Sequence, residues 1–369
     1  MINFYMMKNR VVALLSAVIM ACSYICYAAD EVPVVWHNLK SYPLLGTLAP
    51  DASVPYSRFP DVMKDSVRKE LWPISTCSAG LSVRFRSDSP RIQLKWKSSG
   101  GGDLNHMTAT GVRGLDLYVL QPDSTWTTVG SGRPLSKTWT TMTVMKDMEP
   151  GIDREYMLYL SLYDGVDSLF VGVDSATVLA MPAVDLPVRR KPVVMYGTSI
   201  LQGGCASRAG MAHTNILQRM LNREVVNLGF SGNARLDPEV AELMATSDAS
   251  CFVVDPLPNC TPDMIDERME KFLAILRVSH PETPILLVES PWFPIMRFNR
   301  ETDSTIREKN RRLRAIYERL VADDSNLYYF DADRIISDPE ATVDNYHFTD
   351  YGFLEFARAL YPVLKRLTE

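Results

Sequence analysis

Histidine is scarce in this sequence, with only His37, His106, His213, His280 and His347 present. Few side chains can therefore act as a general base near neutral pH. No Cys-x-x-Cys pair occurs among the six cysteines, so the usual spacing of a zinc site is missing. Positive charge is not in excess. The net charge is −5 and the pI is near 5.7, which argues against the basic face of a nucleic-acid-binding protein. Internal repeats and low-complexity tracts are lacking as well. What remains is ordinary for a soluble globular protein, 46% hydrophobic and 22% charged. At 369 residues the chain suits two domains.

Residues 1–29 differ from the rest. Lys8 and Arg10 precede the apolar run "VVALLSAVIMACSYICYA", and Asp30 and Glu31 follow it. This is the layout of a secretory signal peptide. The run lies near the lower limit for a membrane span, but Ser16, Ser23 and two cysteines interrupt it and favour the signal over an anchor. Two cleavage modes fit. "IMAC" (Ile19 to Cys22) resembles a bacterial lipobox, in which Cys22 would carry a lipid anchor, whereas Ala28 and Ala29 suit ordinary cleavage. Either mode predicts export, and export makes disulfides relevant. Cys77, Cys205, Cys251 and Cys260 allow three pairings. Cys251 sits in an apolar run, where a buried free thiol is the simpler reading.

Residues 30–187 read as a β-domain. "GLSVRFR" and "RIQLKWK" alternate apolar and polar residues, as half-buried strands do. "GLDLYVL", "TWTTMTV", "EYMLYLSLY" and "SLFVGV" continue the series between turn formers, which predicts a sandwich or jelly roll. "MPAVDLPVRRKP" (Met181 to Pro192), with three prolines and no helical period, reads as a linker. From residue 188 the pattern changes to short, nearly continuous apolar runs: "PVVMYG", "EVVNLGF", "SCFVVDPL", "PILLVES" and "LYYFDA". Helical segments separate them, including "PDMIDERMEKFLAILRVSH", "STIREKNRRLRAIYERLVA" and the terminal "DYGFLEFARALYPVLKRL". The alternation predicts a three-layer α/β/α domain around a parallel sheet. Sites in such sheets lie beyond the carboxyl ends of the strands.

The first run ends in Gly197-Thr198-Ser199. There the serine either caps the following helix or presents its hydroxyl as a nucleophile. After the second run, the glycines of "NLGFSGNA" permit a tight turn, or let the Gly232 N–H approach a substrate oxygen. After the third, Asn259 serves a turn or donates to an oxyanion. After the fifth, Asp344 and His347 stand three residues apart, ahead of the terminal helix. Among the five histidines, His347 alone lies at an expected strand-end loop with an aspartate at this spacing.

Nucleophilic acyl transfer needs this set of parts. A serine hydroxyl attacks only when a neutral imidazole takes its proton. The imidazole needs an anion to fix its tautomer, and the tetrahedral oxyanion needs donors placed in advance. Ser199, His347 and Asp344 supply the first three, and the Ser199 N–H, Gly232 N–H and Asn259 amide supply the donors. The constellation resembles the SGNH (GDSL-like) hydrolase superfamily over roughly residues 190–369. "YGTSI" stands in place of the Gly-Asp-Ser block, Gly232 and Asn259 in place of the next two, and "DNYH" matches the Asp-x-x-His block. Thr198 replaces an aspartate that is not the triad acid, and the block around Asn259 lacks the usual Gly-x-Asn-Asp frame. Upstream, Gly114 to Tyr118 match the GxDLY motif that names the β-domain of a bacterial subgroup.

The resemblance implies a flavodoxin-like hydrolase domain without metal or other cofactor. It also implies an exported esterase that removes acyl groups, acetyl above all, from saccharides. A lipase or thioesterase acting on longer chains uses the same machinery, and an inactive glycan-binding protein is the reading from another class. Trp292 and Phe293, after the fourth run, either stack on a sugar face or pack in the core. His106 and Asp116 of the β-domain would reach the cleft only if that domain folds over it, and Asp116 otherwise holds a turn or strand end.

Overall fold

The computed structural model describes residues 32–369 apart from 334 and 337. The signal segment and Cys22 lie outside the described residues. Among these, no helix is long and apolar enough to cross a membrane.

Ten strands form the N-terminal region: β1 (Val34–Asn38), β2 (Leu44–Leu45), β3 (Ser82–Ser87), β4 (Ile92–Ser98), β5 (Leu115–Leu120), β6 (Trp126–Gly132), β7 (Trp139–Met145), β8 (Arg154–Tyr159), β9 (Val166–Asp174) and β10 (Leu179–Ala180). One antiparallel sheet has the order β1-β9-β4-β7 and the other β10-β3-β8-β5-β6, with β2 added on β3. Inward-facing Phe85, Leu94, Trp96, Leu117, Leu158 and Val171 fill the space between the sheets, which makes the sandwich expected from the alternating pattern. β4 shows why: its residues alternate between buried and half-buried along the whole strand. Two short helices, α1 (Leu71–Ser75) and α2 (Ala109–Arg113), interrupt the strands.

The C-terminal region holds β11 (Val188–Gly197), α3 (Ser199–Gln202), α4 (His213–Leu221), β12 (Arg223–Gly229), α5 (Pro238–Met244), β13 (Cys251–Asp255), α6 (Pro262–Ser279), β14 (Ile285–Val288), α7 (Arg300–Leu320), β15 (Leu327–Phe330) and α8 (Asp350–Thr368). Its sheet is parallel, with order β12-β11-β13-β14-β15, the flavodoxin-like doubly wound arrangement. Strands β13 and β14 are buried at every residue, as apolar runs covered on both faces require. The order reverses beside β11, so the carboxyl ends of β11, β12 and β13 open onto one crevice.

Two details differ from the sequence reading. The end of the expected linker, Val188 to Pro192, belongs to β11, with a register break before Val193. The N-terminal region also reaches onto the parallel-sheet region. Phe59, Met63, Val67 and Leu71 pack with Tyr196, Phe230 and Phe252 on one face of the sheet. Tyr118, Met157, Tyr159 and Leu162 pack with Leu201, Ile216 and Leu217 on the other. Among the described residues the four cysteines, Cys77, Cys205, Cys251 and Cys260, are free thiols, three of them buried. None of the three possible pairings is formed.

Candidate active site

Ser199 is the first residue of α3, placed there by the end of β11. The hydroxyl that caps this short helix belongs to Thr198, which accepts the Ile200 N–H at 3.3 Å. With Thr198 as the cap, Ser199 Oγ is free for another partner. It lies 2.8 Å from His347 Nε2. Gly204 lets the chain turn away closely: a Cβ there would lie 2.8 Å from the Tyr163 hydroxyl and 3.1 Å from His347 Cδ2. Tyr163, from the sandwich, donates its hydroxyl to the Ser199 carbonyl at 3.2 Å.

The Asp-x-x-His loop builds its own geometry. Asp344 Oδ1 accepts the backbone N–H groups of His347 at 2.8 Å and Tyr346 at 3.2 Å, folding the segment into an Asx-type turn. Asn345 adopts a left-handed φ of 70° to close it. The other oxygen, Oδ2, lies 2.7 Å from His347 Nδ1. A carboxylate can only accept, so Nδ1 carries the proton and Nε2 is left to accept from Ser199. Burial raises the Asp344 carboxyl, but the hydrogen bonds from His347 and Tyr346 outweigh it and hold it below its ordinary value. Phe348 is fully buried and Thr349 caps α8 through the Gly352 N–H, which pins the loop at its far end.

The candidate oxyanion donors sit at the neighbouring strand ends. Gly232 has φ 67°, a left-handed conformation that favours glycine. Its loop is tied back by the Ser231 N–H, which donates to Gln202 Oε1 at 2.9 Å. Asn259 Oδ1 accepts the Ala234 N–H at 3.2 Å, which orients the amide and leaves Nδ2 for another acceptor. Ser199, Asn259 and His347 open onto a cleft of about 490 Å³, with Ile200, Phe293, Ser290, Tyr346 and the polar side of α7 as its walls. Phe293 lines it and packs against Tyr346 at 5.3 Å between ring centroids. Trp292 does not line it; it packs on the core beneath the Arg297 guanidinium.

No described sandwich residue, His106 included, lines this cleft, but His106 comes close to its edge at His347. The His106 ring lies 5.6 Å from that of His347. His106, Cys205, Asp344 and His347 each place a ligand-type atom within 4.8 Å of one another. Both His347 nitrogens are already engaged, however, and burial followed by the Asp344 charge pushes the Cys205 thiol up to about 12. The cluster is the triad with its neighbours rather than a vacant ligand set. His213, by contrast, is fully buried between Phe353 and Phe356, and burial brings it down to about 3.

Asp116 does not line the cleft and is fully buried. It accepts from the Arg208 guanidinium, from the Gly210 N–H at 2.9 Å and from Ser131 Oγ at 3.0 Å. Burial raises the Asp116 carboxyl, and burial alone would lower Arg208, but the Asp116 charge and the Tyr118 hydroxyl hold Arg208 above its ordinary value. The Asp and Tyr of the GxDLY motif thus grip the segment that follows the nucleophile. Thr108 and Thr110 add hydrogen bonds to the Ser207 carbonyl at 2.7 and 2.6 Å. Arg58 was not singled out by the sequence. It is fully buried and donates to the carbonyls of Gly229 at 2.6 Å, Ile74 at 2.6 Å and Cys77 at 2.9 Å. It braces the strand end that precedes the Gly232 loop.

Comparison with known proteins agrees with this geometry. The profile of the GDSL-like Lipase/Acylhydrolase family matches residues 190–365, and the GxDLY profile, the N-terminus of SGNH hydrolase-type esterases, matches residues 34–179. No curated protein matches the sequence. A structure of a GDSL-like lipase from Bacteroides ovatus is 30% identical, with TM-score 0.85 over 91% of this chain and 98% of that one. Two more distant structures share the fold. The salicylyl-acyltransferase SsfX3 from a tetracycline biosynthetic pathway is 17% identical, with TM-score 0.68 over 92% of this chain and 96% of its own. A family two carbohydrate esterase from Cellvibrio japonicus is 13% identical, with TM-score 0.55 over 91% and 98%. With its parallel-sheet region and its sandwich both matched, the chain belongs to the GDSL-like lipase/acylhydrolase (SGNH) family, in the form that carries a GxDLY domain ahead of the hydrolase fold.

Proposed function

We propose that the protein is a serine esterase that removes short acyl groups, acetyl foremost, from carbohydrates. The observation that carries this reading is the continuous hydrogen-bonded line from Ser199 Oγ through His347 to Asp344, at 2.8 and 2.7 Å. In the first step Ser199 Oγ attacks the ester carbonyl carbon while His347 Nε2 takes the hydroxyl proton. The resulting oxyanion receives the N–H groups of Ser199 and Gly232 and the Asn259 amide, and each such donor contributes about 3–4 kcal/mol to lowering the barrier. His347 then returns the proton to the departing sugar oxygen, and the acyl group stays on Ser199. Water, deprotonated by the same imidazole, releases the acid. Asp344 stays ionised throughout and stabilises the imidazolium.

A sugar ester as substrate is supported by the hydroxyl- and amide-bearing walls of the cleft, formed by Ser290, Thr302, Thr305 and Asn259 beside Phe293 and Tyr346. The fold shared with family two carbohydrate esterases points the same way. A formed triad counts against an inactive glycan-binding protein, which has no use for one. Export, by a cleaved signal or through a lipid on Cys22, is part of the proposal and rests on the sequence of residues 1–29.

The test is the Ser199→Ala protein with 4-nitrophenyl acetate and acetylated oligosaccharides. Activity is expected to fall by about 10⁴-fold or more, with an unchanged circular dichroism spectrum. Full activity would sink the mechanism. In the wild type, a preference for octanoyl over acetyl esters would replace the carbohydrate reading with a lipase.

A further inference from the structure

Helix α7 forms one wall of the cleft, and its cations are unequally matched. From Arg307 onward each arginine of the helix meets a carboxylate: Arg307 meets Asp303, Arg311 and Arg312 meet Glu308, Arg314 meets Glu289, and Arg319 meets Glu270. Lys309 does not. Among the described residues no carboxylate lies within 4.0 Å of its amine, whose one hydrogen bond goes to the Pro258 carbonyl at a long 3.5 Å. Lys309 is nevertheless half-buried and lines the cleft that holds Ser199 and His347. Its contact, Pro258, directly precedes Asn259, so the ammonium stands beside the loop that carries the amide.

A partly desolvated ammonium without an anion is costly to hold. Burial lowers its affinity for the proton, and Cys260 offsets this only in part. An anionic ligand group would remove that cost. One other ionisable side chain of α7 faces the cleft, Glu301, which is exposed in the first turn of the helix. Eight residues along a helix is about 12 Å. That exceeds the screening length of about 8 Å at physiological salt, so Glu301 does little to repel an anion at Lys309. The imidazole of His347 adds no negative charge, and the Asp344 charge is taken up by its own hydrogen bonds.

We propose that the ester substrate carries a carboxylate and that Lys309 binds it. The proposal rests on the esterase reading and narrows it to acidic esters. The carboxylate has two chemical sources: the sugar, as in an acetylated uronic acid, or the acyl group, as in the half-ester of a dicarboxylic acid. Lys309 does not touch the reacting atoms in either case. It sets which esters are held long enough to react.

Two matched substrate pairs test this. One pair is acetylated methyl glucuronoside against acetylated methyl glucoside, and the other is 4-nitrophenyl hemisuccinate against 4-nitrophenyl butyrate. In one pair the wild type is expected to favour the acidic member in kcat/KM by about tenfold or more, through KM. Lys309→Met should erase that ratio and Lys309→Arg should keep most of it. The pair that responds identifies which part of the substrate bears the carboxylate. No acidic preference in either pair, or a preference that survives in Lys309→Met, overturns the proposal. A binding measurement separates this inference from the hydrolase reading. The Ser199→Ala protein, titrated with glucuronate, succinate and glucose, should hold one of the two acids more tightly than glucose, and the Lys309→Met double variant should not. If the wild type cleaves none of the four esters, the hydrolase reading fails. The titration then still decides the Lys309 site, upheld by Lys309-dependent acid binding and overturned by binding no tighter than that of glucose.

Discussion

The two halves of the molecule divide the labour around Ser199 differently. The parallel-sheet region carries the candidate catalytic groups, Ser199, His347, Asp344, Gly232 and Asn259, each at a strand end or before a helix. The sandwich grips the same segments from behind, through Asp116 on Arg208 and Gly210, Tyr163 on the Ser199 carbonyl and Arg58 on the Gly229 carbonyl. One half carries the candidate catalytic groups on partly exposed segments, and the other holds those segments with buried charge and hydrogen bonds. The lesson is that a short, glycine-rich nucleophile loop can be precise without being stiff in itself, provided a second body holds its backbone.

Three substitutions can break or sharpen that contrast. The largest expected effect is at the clamp. Asp116→Asn leaves the half-buried Arg208 without its counter-charge and should cost about 3 kcal/mol of stability, read from the shift of the urea midpoint. A loss of kcat with no change in stability would mean that the sandwich takes part in the chemistry. Next is Glu224 on β12, whose carboxylate accepts the Gly46 N–H of the sandwich side at 2.6 Å. Burial raises it from 4.5 to about 7, with the Gly46 hydrogen bond only partly opposing. Between those values the folded protein holds a proton that the unfolded chain has lost, so stability falls as pH rises through the window. The full span corresponds to about 3 kcal/mol. In Glu224→Gln this slope should vanish, giving the variant its greatest advantage over wild type above pH 7; parallel pH curves would contradict the assignment. The smallest effect belongs to the catalytic side. Gly232→Ala meets no heavy atom within 4 Å of the new Cβ, so its cost is the left-handed backbone alone, about 1–2 kcal/mol. The rate should drop more noticeably than the stability, because the N–H moves. An unaffected rate would remove Gly232 from the oxyanion site.

Legibility in the sequence followed the range of the interactions. Asp344 and His347 were readable because their three-residue spacing closes an Asx turn locally, with little help from the rest of the fold. Ser199 and the five strands of the parallel sheet were readable from short, nearly continuous apolar runs, the first of them ending in glycine before the serine. β6 escaped because "WTTVGSG" dilutes its strand formers with glycine and serine, and Val188 to Pro192 escaped because the three prolines and two arginines of Met181 to Pro192 suggest a linker. Arg58 and Lys309 carried no local signal at all. What distinguishes them is the presence of carbonyls around one and the lack of a carboxylate near the other, and both depend on segments far away in the chain. Asp116 was legible as a motif member, but its partner Arg208, 92 residues on, was not.

The apolar contact between the halves has a further consequence. Tyr118, Met157, Tyr159 and Leu162 share one continuous core with Leu201, Ile216, Val253 and Leu286, and Phe59 and Leu71 share another with Tyr196 and Phe252. Two stretches that are separable modules by sequence pattern therefore share their apolar cores. A cut at the boundary would bare oily surface on both products, and the hydrolase half would lose the body that keeps its nucleophile in place. The sandwich is better regarded as a permanent buttress of the parallel-sheet region than as an appended module.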